Sequence, residues 1–197
     1  MTSMRRIALF VEDSAHELFL SALVRRLRDE YKVDLEIIPR SVRGGHGKVI
    51  KELKQYLIGL ENGWETRLDA LVVATDANCN SLSQRRKEIE EACEGFEDLL
   101  IPAIPDPHIE RWLLLDSAAF KIAVGKGCDP PDNKCERDRY KGKLREALLE
   151  AGITPLLGGA EYAEDIVKAM DLQRMERIDD SLGERLRSLR NKFQSWS

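Results

Sequence analysis

Two carboxylates stand where an apolar run stops. Glu12, followed by Asp13 and Ser14, ends the run Ile7-Ala8-Leu9-Phe10-Val11. Asp76, followed by Ala77 and Asn78, ends Leu71-Val72-Val73-Ala74-Thr75. Each run has the length of a strand and is apolar without alternation, as strands buried on both faces of a parallel sheet are. In open α/β sheets, ligands bind in the crevice beyond the carboxyl ends of such strands. Glu12 and Asp76, if they meet there, are hard oxygen ligands and suit Mg2+ or Mn2+ better than zinc. A cation held that way polarises a phosphodiester and stabilises the negative charge that develops during transfer.

Further groups are expected at the same edge. Pro105-Asp106-Pro107 reads as a strand stop and a helix start, with Asp106 as N-cap and Pro107 at the first helical position. His108 and Glu110 then fall in the first turn, where a carboxylate serves as a further ligand, a general base, or merely a partner of the helix dipole. Ser14-x-x-Glu17 has the form of a capping box, which makes Glu17 a capping group before it is a ligand. His16, in the same turn, is expected to be exposed.

Positive charge is local. The segment Arg40-Ser41-Val42-Arg43-Gly44-Gly45-His46-Gly47-Lys48 combines three glycines with Arg40, Arg43 and Lys48. It reads as a phosphate cradle or as a plain strand-to-helix connection. It is not a Walker loop, because Val49 follows Lys48. Arg85 or Arg86 is placed to face the site from the first turn of a charged helix. Later, Arg137, Arg139, Lys141 and Lys143 surround Tyr140, a combination suited to phosphates and a stacked base, or to an exposed helix start. The tail at 182–193 is an amphipathic helix with a basic face.

The elements that must position these groups alternate. Strands are expected at 5–11, 33–38, 70–75 and 99–104, with Pro39 stopping the second. Helices are expected at 14–30, 48–60, 81–93 and from Pro107 on; Ser81-x-x-Gln84 caps the third. Strand-helix alternation four times over predicts a Rossmann-like doubly wound parallel sheet flanked by helices. For Glu12 and Asp76 to share a cation, strands 1 and 3 must be neighbours, which requires sheet order 2-1-3-4. From Ser117 the alternation stops, and residues 117–197 are expected to form a helical C-terminal extension packed on an α/β domain of residues 1–116.

With 197 residues, 43% hydrophobic and 34% charged, the chain has the composition of a folded globular protein. A net charge of -4 gives no global attraction to nucleic acid. No apolar run approaches the roughly 18 residues of a membrane span. No signal-peptide core precedes the first strand, so a cytoplasmic protein is expected. The four cysteines, Cys79, Cys93, Cys128 and Cys135, contain no CxxC pair. They are expected to be free thiols, the alternative being zinc at Cys128 and Cys135 with a distant partner.

The residues resemble the TOPRIM domain of topoisomerases, primases and OLD-type nucleases. That domain carries a glutamate after its first strand and Asp-x-Asp after its third. Val11-Glu12-Asp13-Ser14-Ala15-His16-Glu17 resembles the first motif, with Asp13 where glycine is usual, and Asp76-Ala77-Asn78 resembles the second, with Asn78 in place of its second aspartate. The resemblance covers about residues 5–116. The segment Pro107 to Trp112 and the helical remainder are similar to small TOPRIM-like proteins, some encoded with phage-defence genes. The resemblance implies Glu12 as general acid/base or ligand, Asp76 as principal ligand and Asn78 as a weaker neutral one. Asn78 removes a charge from the site, for which Asp13, Glu17 or Glu110 would have to compensate. The implied activity is Mg2+- or Mn2+-dependent cleavage of nucleic acid. The alternative is a non-catalytic TOPRIM-like module that binds nucleic acid or a partner protein, such as an ATPase encoded beside it. A dinucleotide-binding Rossmann domain is disfavoured because no G-x-G-x-x-G follows the first strand.

Overall fold

The computed structural model describes residues 4–197. Within them β1 (Arg5–Val11) and β3 (Ala70–Ala74) lie side by side at the centre of a parallel four-stranded sheet. The edge strands are β2 (Leu35–Ser41), beside β1, and β4 (Leu100–Ala103), beside β3. The order is β2-β1-β3-β4, as the shared-cation argument requires.

The unbroken apolar runs have a simple cause. Ile7, Leu9, Val11, Ala70, Val72 and Ala74 point into one core, and Ala8, Phe10, Leu71 and Val73 into a second on the opposite face. Because both faces are covered, neither face can be polar. The first core is closed by α1 (Ser14–Tyr31) and by the C-terminal helices; the second by α2 (His46–Glu61) and α3 (Leu82–Ala92). Pro39 does not stop β2 but lies inside it, paired with Leu9. Only one side of this edge strand is hydrogen-bonded, so the N–H that proline lacks is dispensable there.

After β4 come α4 (Ile109–Leu114), α5 (Ser117–Val124), α6 (Arg139–Glu150), a 3-10 turn (Ala160–Tyr162), α7 (Ala163–Ala169), α8 (Leu172–Ile178) and α9 (Asp180–Gln194). Trp112 and Arg111 of α4 fasten this region. The Trp112 indole is fully buried and donates to Ser181 Oγ at 2.9 Å. The buried Arg111 guanidinium pairs with Asp179, the N-cap of α9, and donates to the Asp132 carbonyl at 2.9 Å.

Two expected caps are replaced. Asp13, not Ser14, caps α1, accepting from the N–H groups of Ala15 and His16. Asp13 stands one residue earlier in extended conformation, the geometry an N-cap needs. Asp106 does not cap α4; the helix begins only at Ile109, with His108 in the cap position. The Asp106–Pro107 peptide is cis. Ser81 does cap α3, accepting from Gln84 N at 3.1 Å.

The cysteines also depart from expectation. Cys79, in the loop after β3, forms a disulfide with Cys135, in the loop leading to α6, with the Cα atoms 5.5 Å apart. Cys93 and Cys128 are free. No helix among the described residues is long and apolar enough to cross a membrane.

Candidate functional site

β1 and β3 run in register, Val11 beside Ala74, so the residues that follow them emerge together. Glu12 N donates to the Ala74 carbonyl at 3.1 Å, and Asp76 N donates to Glu12 Oε2 at 3.2 Å. Glu12 and Asp76 therefore meet at one rim of the sheet. The start of α4 reaches the same rim because Asp76 Oδ1 accepts from Ile109 N at 2.8 Å. This long-range cap fixes where α4 begins and delivers Glu110 to the acids.

The result is a cavity of about 220 Å3 lined by Glu12, Asp13, Asp76, Asn78, His108 and Glu110. Arg137, Asp138 and Lys141, from the segment entering α6, complete its wall. Glu110 is buried, yet its Oε2 has no hydrogen-bond partner, and the nearest cation, Lys141 Nζ, is 4.0 Å from Oε1. Burial, and then the Asp76 charge, push the Glu110 carboxyl up to about 7. Burial and Asp76 also raise Glu12 above its ordinary value. In both groups burial is the larger cause, because it disfavours the charged carboxylate. Glu12, Asp76 and Glu110 are oxygen donors of the kind a small hard cation takes, with the exposed Asn78 a neutral one, although among the described residues no three His, Cys, Asp or Glu side chains stand in a metal-holding arrangement.

His16 is not exposed. It is fully buried beneath the acids, with Nδ1 2.8 Å from Asp13 Oδ1 and Nε2 3.1 Å from Asp76 Oδ1. The first contact is a hydrogen bond; the second is an ion-pair distance without hydrogen-bond alignment. Burial disfavours the imidazolium, but the two carboxylates outweigh it, Asp76 foremost, and raise its pKa to about 10. Burial would raise the Asp13 carboxyl, but the His16 contacts overcome that and hold it well below the usual carboxylate range.

Behind Asp76, the buried Thr75 hydroxyl lies 3.0 Å from His46 Nδ1, and His46 Nε2 is 2.8 Å from Glu88. Burial and the Arg85 charge lower the His46 pKa, so the ring is neutral. It donates from Nε2 to Glu88 and accepts from Thr75 at Nδ1. Gly45, at φ 81°, opens α2 beside Glu12 in a backbone conformation that a side chain would strain.

Of the cations singled out in the sequence, Arg137 and Lys141 line the acidic cavity. Arg40 pairs with Glu65 at 2.9 Å and covers the Tyr56 ring. Arg43 and Lys48 lie exposed in the glycine segment, Lys48 3.7 Å from Glu52. Arg85 is buried against Glu88 at 3.1 Å. Arg139 is held by Asp132 at 2.5 Å and Glu136 at 2.9 Å, and the Tyr140 ring is buried instead of open for stacking. Glu17 is half-buried and lines neither this cavity nor its neighbour. Asp138 carries no signal in the sequence, and His16 is expected there on the surface. Arg137, expected near phosphates from its place in the charged segment, does line the cavity.

No family model, no curated protein and no solved structure matches the chain in the three comparisons.

Proposed function

We propose that the chain is a divalent-cation-dependent phosphodiesterase that acts on nucleic acid. One observation carries this reading: Glu12, Asp76 and Glu110 converge from three separate elements on one small cavity, and a buried carboxylate oxygen there has no partner. Glu12, Asp76 and Glu110, with Asn78 beside them, would hold Mg2+ or Mn2+, which supplies Lewis acidity at a phosphoryl oxygen. Lys141 donates to a non-bridging oxygen and offsets the charge that grows there. Glu110, where it is not spent on the cation, would take a proton from the attacking water or return one to the leaving oxygen. His16 holds Asp13 and Asp76 from below, so the acids keep their places while the substrate changes charge.

Cleavage of labelled single-stranded and duplex oligonucleotides with Mg2+ or Mn2+ tests the reading. Activity is expected in the native chain and lowered by about a hundredfold or more in Asp76→Asn and Glu12→Gln; equal activity in those variants sinks it.

A second reading has its own support. The His16 imidazolium already neutralises part of the cluster, and Asn78 brings no charge. A non-catalytic module that binds nucleic acid or a partner protein, such as an ATPase, therefore follows if salt-sensitive binding occurs without turnover.

A further inference from the structure

Beside the acidic cavity lies a second one of about 450 Å3, between α6 and the loop that precedes the 3-10 turn. The two share Asp13, Glu110, Asp138 and Lys141, so they are neighbouring compartments of one site. We propose that the larger compartment holds one unpaired nucleotide, next to the phosphodiester presented to Glu12, Asp76 and Glu110. The proposal rests on the phosphodiesterase reading and adds a substrate class to it: strand ends and single strands over intact duplex.

The walls differ in chemistry. On α6, Lys141 and Arg145 stand one turn apart and both line the space, with Gly142 between them. Both side chains are exposed, free to meet a phosphate. The opposite wall is apolar. Leu157 lines it and remains 59% exposed, an apolar surface left in water at a cavity mouth. Gly158 and Ala160 continue that wall with little or no side chain, leaving a flat surface.

The apolar wall is also held in place. Glu161 accepts from the N–H groups of Leu156 at 2.6 Å, Leu157 at 3.1 Å and Gly159 at 2.9 Å. The loop is thus tied to the helix turn behind it, and a ligand meets a formed surface at little ordering cost.

Cations facing an apolar plate suit a group that is anionic at one end and flat and apolar at the other. A nucleotide is such a group: its phosphate meets Lys141 and Arg145, and a base face covers Leu157. Inorganic phosphate would leave Leu157 unused. Asp13, Glu110 and Asp138 also line the space and disfavour an anion near them, which directs the phosphate toward Arg145 at the far end of the cation pair. The volume lies within the range of about 300–1,000 Å3 that small-molecule pockets occupy. It takes one nucleotide, not a base pair with two backbones.

Gly142 provides the test, since a Cβ built there meets nothing within 4 Å. Gly142→Phe therefore adds a ring on that wall without a backbone clash at Cβ, and because it replaces a glycine inside α6 its thermal midpoint should not fall below that of the native chain. Arg145→Glu, a surface change, is the companion variant. Binding of adenosine 5′-monophosphate and of inorganic phosphate is measured by calorimetry on the full chain in EDTA, apart from any cleavage. The nucleotide should bind more tightly than phosphate and lose at least tenfold in affinity in both variants. Unchanged nucleotide binding in a folded Gly142→Phe, or nucleotide binding no tighter than phosphate, overturns the proposal. Metal-dependent cleavage that persists in that case leaves the phosphodiesterase reading standing without this subsite. Nucleotide binding blocked by Gly142→Phe, in a chain that cleaves nothing, supports the subsite while removing the catalytic reading.

Discussion

His16 Nε2 lies 3.1 Å from Asp76 Oδ1, although 60 residues separate the two in the chain. The imidazole is fully buried, and its other nitrogen holds Asp13, the cap of α1. One side chain thus couples the helix after β1 to the acid after β3.

Removing that ring should be costly. His16→Ala leaves Asp76 and Asp13 facing a void with no counter-charge. We expect a loss of roughly 2–3 kcal/mol, below the usual cost of breaking a fully buried pair because the Asp13 side chain is 38% exposed. Urea unfolding of the two chains measures it. Stability equal to the native value would mean that the acids need no cation beneath them.

Asp76 has a structural duty besides its charge, and two substitutions separate them. Asp76→Asn keeps an oxygen for Ile109 N, whereas Asp76→Ala leaves that buried N–H unpaired. The alanine variant should fold but lose about 1–2 kcal/mol, with asparagine costing less. Both should lower metal-dependent cleavage by about a hundredfold or more, the scale of losing one charge-stabilising group. An unfolded Asp76→Ala would mark the acid as structural first.

Acid stability should depend on Asp116. This carboxylate, 2% exposed, caps α5 and accepts from Asp171 N at 2.9 Å and from Arg174 at 2.5 Å. Burial raises its pKa, but the N–H groups of Asp171 and Ala119 and the Arg174 charge overcome this and hold it below 3.8. Its contribution is complete above the unfolded value and drains away as the pH falls through the folded one. Asp116→Asn keeps the cap but loses the charge. It should cost about 1 kcal/mol at pH 7, discounted because Arg174 is 46% exposed. The gap should close as the pH drops below about 4. A gap that widens in acid contradicts the assignment.

The disulfide predicts a difference between oxidised and reduced chain. Cys79 and Cys135 are 56 residues apart, so the bond closes a long loop. Cys135→Ser should cost about 2–4 kcal/mol and expose the segment before α6 to proteases. Mass spectrometry of the alkylated chain, with and without reductant, reports the bond directly. Alkylation of all four cysteines without reductant contradicts it.

The sheet was legible in the sequence because its cause is local. Two apolar runs ending in acids require two-sided burial, and the wish to bring those acids together returned the strand order. The contents of the site were less legible because their causes are distant. His16 reads as an exposed residue on a first helical turn until Asp76 is placed against it. The start of α4 is set by Asp76, not by the adjacent Asp106. Arg139 looks available until Asp132 and Glu136 claim it, while Lys141, two residues on and turned the other way, reaches Glu110. Cys79 and Cys135 carry no spacing signal, since a bond across 56 residues follows from loops meeting in space. Pro39 misled because the edge position of β2 is a property of the whole sheet.

The covalent tie between Cys79 and Cys135 joins the two rims of the acidic cavity, one carrying Asn78 and the other leading to Arg137 and Lys141. Rims stapled in this way cannot swing apart to admit a bulky guest and close again behind it. The mouth therefore keeps a nearly fixed span at that point, which limits the breadth of what can enter the cavity.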